Sequence, residues 1–187
     1  MKTMSALRRL LVLALVLALA ACQERTRVDA PAAERTPAVS VSPELLAALE
    51  EAQNLHHRAD NLLRDGQRDA AIVEVTRVLQ VSFPAGASEA EDVRLDARAR
   101  LGKLYLDAGR LDEGERVVQE GLVSATRDSF FLANLYNVRG ELHEARAASL
   151  DDATTAKAEL RRAIEAYARG QDINVRVQAR VYQEAMP

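Results

Sequence analysis

The sequence predicts an all-α protein, and three observations carry the prediction. The five prolines stand at positions 31, 37, 43, 84 and 187, so none interrupts a stretch of helical spacing. A proline inside a helix costs about 3 kcal/mol, which makes that distribution informative. From Leu45 onward apolar residues recur three and four apart, the period of a helix with one buried stripe. Alanine, leucine, arginine and glutamate, all good helix formers, are abundant.

The chain ahead of this body has a different character. Lys2, Arg8 and Arg9 precede the apolar run Leu10 to Leu19, and Ala20 and Ala21 close it before Cys22, the only cysteine. A positive start, an apolar middle and a small-residue end are the layout of a signal peptide over residues 1–21. The run is shorter than the roughly 20 apolar residues of a membrane-spanning helix. Gln23 to Ser42 is polar, contains Pro31 and Pro37 and has no apolar period, so residues 22–42 are expected to form a flexible tether. Twenty such residues reach about 25 Å root-mean-square as a coil.

The helices of the body, residues 43–187, are expected in the following order. Ser42 as N-cap, Pro43 at the first helical position, Glu44 in the first turn and Val41 stapling onto Leu46 begin the first helix. Its stripe is Leu45, Leu49, Ala52, Leu55 or His56, Ala59 and Leu62, and Gly66 ends it. A second helix spans about Asp69 to Ser82, before Phe83-Pro84-Ala85-Gly86. Ser88 with Glu91 forms a capping box for a third, which stops near Gly109, and Asp112 with Glu115 caps a fourth that runs to about Ala125. A fifth runs from Asp128 to about Ala148, and a polar connection at residues 149–154 leads to a sixth that ends near Gly170. The final segment from Val175 to Tyr182 alternates apolar and polar residues as a half-buried strand would, and Val93 to Leu101 does so more weakly. Both are read as helical, because the Val93 run is rich in poor strand formers and an isolated two-stranded ribbon is barely stable.

Charge and composition narrow the functions. The leader removes three basic residues and no acidic one from a chain of net charge −3, leaving −6 on the mature protein. An acidic body with no Trp and few other aromatics does not suit nucleic acid or an anionic lipid surface. A protein partner fits better. His56 and Asp60 share a helix face but His57 points away from it, so these residues do not make a metal site. His143-Glu144 lacks the second histidine of a zincin, and Asp151-Asp152 suits a loop and helix cap. No phosphate loop or nucleophile elbow is present, and no catalytic residue, metal or cofactor is expected.

Two resemblances follow from the residues. Leu19-Ala20-Ala21-Cys22 resembles the lipobox of bacterial lipoproteins, which implies that Cys22 becomes the first mature residue and carries diacylglyceryl and acyl groups. Two or more acyl chains would anchor the protein stably. The alternative is a plain secreted protein with a chance or redox-active thiol, but no second cysteine exists for a disulfide. Gln23 in place of Asp after the cysteine implies outer-membrane sorting, with the body facing the periplasm.

In the body, small residues recur at Ala59, Gly102 and Gly140, then at Ala71, Gly114 and Ala163, and seven residues further come Val78, Gly121 and Gly170, small in two cases of three. Leu101-Gly102 with Tyr105 and Gly109, and Ala163-Ile164-Glu165-Ala166-Tyr167, resemble the tetratricopeptide repeat over about residues 50–174. The first two repeats lie 43 residues apart instead of the usual 34, and about 11 extra residues enter around 147–157. The resemblance implies antiparallel helix pairs stacked as a short superhelix of about three repeats plus a C-terminal helix. It implies a binding groove along the first helices, at Gln53, His56 and Asp60, then Asp96, Ala99 and Lys103, then Asn134, Asn137 and Glu141. These are mostly uncharged or acidic, and the Lys and Asn pattern that clamps a C-terminal carboxylate is absent, so an internal polar or basic segment is the expected ligand. Lipoproteins of this plan include secretin pilotins, a subunit of the β-barrel assembly machine and adaptors of peptidoglycan enzymes. The alternative function is a periplasmic enzyme accessory or hydrolase.

Overall fold

The structure, a computed structural model, describes residues 42–186. The leader, Cys22, the tether and the Val41 staple lie outside the described residues. Six helices account for most of the remainder: α1 Pro43–Arg64, α2 Arg68–Val78, α3 Glu89–Asp107, α4 Leu111–Ser124, α5 Phe130–Ala148 and α6 Ala153–Ala185. No strand occurs among the described residues, and both alternating segments are helical, one in α3 and one in α6.

Local chemistry explains most of the boundaries. Ser42 Oγ accepts from the Leu45 N–H at 3.1 Å, with Pro43 in the first turn. At the other end of α1 the chain turns through Gly66 at φ +74°, which lets the Gln67 N–H reach the Leu62 carbonyl at 2.8 Å. Gly109, at φ +71°, does the same after α3, where Arg110 N–H bonds Tyr105 O at 2.8 Å. These turns fold α1 against α2 and α3 against α4, and the connection at residues 149–152 folds α5 against α6.

Several expected caps are replaced by longer-range contacts. Ser88 makes no cap bond, and the Glu91 carboxylate instead receives the Thr126 N–H at 3.0 Å, tying α3 to the loop after α4. Asp112 and Glu115 both hold Arg146 of α5 at 2.8 Å, while Arg110 occupies the N-cap position of α4. The fifth helix starts two residues later than expected: Ser129 caps it through Leu132 N–H, and Asp128 binds Arg176 at 2.7 Å. The second helix stops at Val78, where the N–H groups of Leu79, Gln80 and Val81 each bond three residues back. That tightening keeps Val81 in the core.

The main correction concerns the C-terminus. The expected sixth helix and separate C-terminal helix are one 33-residue helix that runs through Gly170. Glu159, Ala163, Ala166, Gly170, Ile173 and Val177 are buried along it at alternating spacings of four and three, which is a seam against α5. A side chain at Gly170 would place its Cβ 3.0 Å from the Ala133 carbonyl and 2.8 Å from Asn137 Oδ1. The glycine serves a close approach and does not terminate the helix. Within the same seam, His143 Nδ1 lies 2.8 Å from Glu159, and both side chains are buried.

All eight expected small residues are buried, as is Val78 at the ninth aligned position. A Cβ on Gly102 would lie 2.8 Å from both Val118 and Val138, and one on Gly114 would lie 3.3 Å from the Gly102 carbonyl. These absent side chains let α3, α4 and α5 meet closely. Two cores result, with α3 in both: Leu55, Val75, Val78 and Leu101 centre the first, and Leu95, Val118, Leu135, Val138 and Ile173 the second.

Candidate functional site

A cleft of 410 Å³ lies between α1 and α3, and Phe131 of α5 is part of its lining. Leu49 and Ala52 of α1, Val93 of α3 and Phe131 give it an apolar lining, and Asp60, Glu89, Asp92 and Asp96 give it acidic groups. Each faces the cleft for a helical reason: residues 49, 52, 53, 56 and 60 repeat at three and four along α1, as 89, 92, 93 and 96 do along α3.

Arg100 of α3 reaches two residues of the cleft wall. Its guanidinium pairs with Asp60 and lies 3.3 Å from His56 Nδ1, while His56 Nε2 stands 3.8 Å from Asp96. Burial, and then the neighbouring Arg100 charge, lower the His56 pKa, outweighing Asp96 and Asp60, so the ring is neutral near pH 7. Asp92 binds Arg127 at 2.5 Å through one oxygen, and its other oxygen is buried without a hydrogen-bond partner. A carboxylate oxygen buried without a partner is costly.

Beyond Arg100 a second depression is lined by Asp96, Ala99, Lys103 and Asn134. Lys103 reaches across to Glu141 of α5 at 3.1 Å. Of the residues expected in the groove, Gln53, His56, Asp60 and Asp96 therefore line the first opening, and Asp96, Ala99, Lys103 and Asn134 the second. Asn137 is half-buried, with its Oδ1 against the Gly170 backbone, and it lines neither.

No known protein family, curated protein or solved structure matches this chain. The site is therefore read from its own groups. It combines carboxylate acceptors, an apolar floor and a neutral imidazole held by a guanidinium, groups able to contact a ligand. Among the described residues no three His, Cys, Asp or Glu side chains gather as metal ligands.

Sequence reasoning missed Arg100, Val93 and Phe131. The expected surface of acidic and uncharged groups is corrected by Arg100, whose charge neutralises Asp60 inside the groove. The signal for Arg100 is present, since it follows Asp96 by four residues on one helix face. For Phe131 only the tertiary contact of α5 with α3 brings the ring to the cleft.

Proposed function

We propose that this chain is a lipid-anchored scaffold of the bacterial cell envelope, whose stacked tetratricopeptide-like hairpins bind a protein partner without catalysis. On this reading Cys22 carries the acyl anchor, in the outer membrane, and residues 23–42 hold the body away from the lipid. The first helices α1, α3 and α5 line the concave side of the array, and the partner lies along them.

The observation that carries the reading is the apolar cleft with acidic walls between α1 and α3. An exposed basic segment with one or two apolar side chains complements it, the charges steering approach and the apolar floor holding the side chains. Glu89 and Asp96, both accessible on the cleft wall, supply acceptors for a basic residue.

The test is crosslinking in native cells from a photoreactive residue at Gln53, which is exposed on the cleft wall. A discrete crosslinked protein is expected, and it should disappear when Phe131→Ser and Asp96→Lys are combined in a chain that still folds. Undiminished crosslinking by that folded variant would place the partner on another face.

A further inference from the structure

A second polar pocket lies on the opposite flank of α5 from Asn134 and Glu141. Its 300 Å³ are lined by Tyr136, Arg139 and His143 of α5 and by Arg162, Glu165 and Arg169 of α6. At 100° per residue, positions 136, 139 and 143 cannot share a face with 134 and 141, so this site is separate from the groove.

Its charge runs against that of the molecule. Three guanidinium groups and one carboxylate line a pocket in a protein with an excess of acidic residues. Arg162 is held by Glu159, three residues earlier, while Arg139 and Arg169 form no ion pair or hydrogen bond among the described residues. Their donors are unspent, and Glu165 is the one carboxylate in the lining against three guanidinium charges, which repel one another. His143 is fixed by the Glu159 carboxylate at Nδ1, leaving Nε2 without a partner.

We propose that this pocket binds a phosphate group, carried either by a small soluble molecule or by a lipid headgroup. Guanidinium forks match phosphate oxygens in pairs, and a tetrahedral phosphate offers oxygens to three arginines at once where a carboxylate offers two. The volume leaves room for a substituent beyond the phosphate itself. Glu165 opposes the anion and keeps the net charge of the lining modest.

Thermal melts of the full chain at constant ionic strength, titrated with inorganic phosphate, glycerol phosphate and dihexanoyl phosphatidylglycerol, test the site. A saturable rise in Tm is expected for the wild type, because a ligand that binds the folded state stabilises it by mass action. Arg139→Gln with Arg169→Gln should abolish the rise. Arg169→Gln alone, at an exposed position, should weaken the apparent affinity roughly tenfold or more if the double variant fails to fold. A response to the lipid alone assigns a headgroup, and a response to the two soluble phosphates assigns a soluble ligand. Phosphate also stabilises proteins by exclusion from their surfaces. An unsaturable rise of equal size in wild type and variants, or no response to any of the three, overturns the proposal.

Discussion

Gly140→Ala offers a sharp test of how α5 and α6 meet. A Cβ at this position would fall 2.6 Å from Cζ and 2.7 Å from Cδ1 of Tyr167. Carbon atoms prefer about 3.5–4.0 Å, so the ring must retreat by about 1 Å. It is not free to do so, because the Tyr167 hydroxyl donates to Glu144 at 2.8 Å, and burial followed by that carboxylate raises the phenol pKa and keeps it a donor. Overpacking of this kind costs about 1–3 kcal/mol, whereas replacing a mid-helix glycine by alanine returns up to about 1 kcal/mol. The expected net destabilisation is about 1–2 kcal/mol, seen in urea melts, with Tm lower by about 2–8 °C. In a Tyr167→Ala background the ring is gone, and Gly140→Ala should become stabilising by up to about 1 kcal/mol. If Gly140→Ala raises stability equally in both backgrounds, the ring does not rest on Gly140 and the α5–α6 register is wrong.

Two further predictions concern the anchor and the groove. Cys22→Ser should abolish acylation and processing, and mass spectrometry of membrane-extracted protein should find an acylated Cys22 as the N-terminus of the wild type; any other mature N-terminus refutes the lipoprotein reading. The folded-state pKa of His56 lies below its ordinary value of 6.5, so the unfolded chain takes the proton first as pH falls. The neutral ring therefore supports the fold above pH 6.5, and that support is lost as pH drops from 6.5 through the folded pKa. His56→Gln should flatten the decline of the urea midpoint between about pH 7 and 5, and an unchanged slope would mean that His56 is not the titrating group.

Much of the fold was legible because its signals are local. Ser42-Pro43 marks the start of α1 through a bond three residues long, and Gly66 and Gly109 mark turns that need positive φ. Small residues at regular intervals betray helix contacts, since only a missing side chain allows so close an approach, and all eight expected small residues are buried. The signals that misled were residues with two possible partners. Ser88 with Glu91 and Asp112 with Glu115 have the spacing of capping boxes, yet Thr126 and Arg146 lie near enough in space to claim these carboxylates. A helix cap and an interhelix bond are comparable in energy, so spacing cannot choose between them.

The sequence by itself determined that the body is all helical, where its prolines and turns fall, and which faces of its first helices carry polar groups. Periodicity and backbone stereochemistry suffice for those, because both act over a few residues. Only the tertiary structure decided that α6 continues through Gly170, since the seam on α5 rewards an unbroken helix more than one glycine weakens it. It alone brought Phe131 to the cleft and Arg100 between His56 and Asp60, and gathered Arg139, Arg162 and Arg169 around one pocket. Those residues come from helices whose approach depends on the whole packed core, and no short-range pattern in the chain encodes that approach.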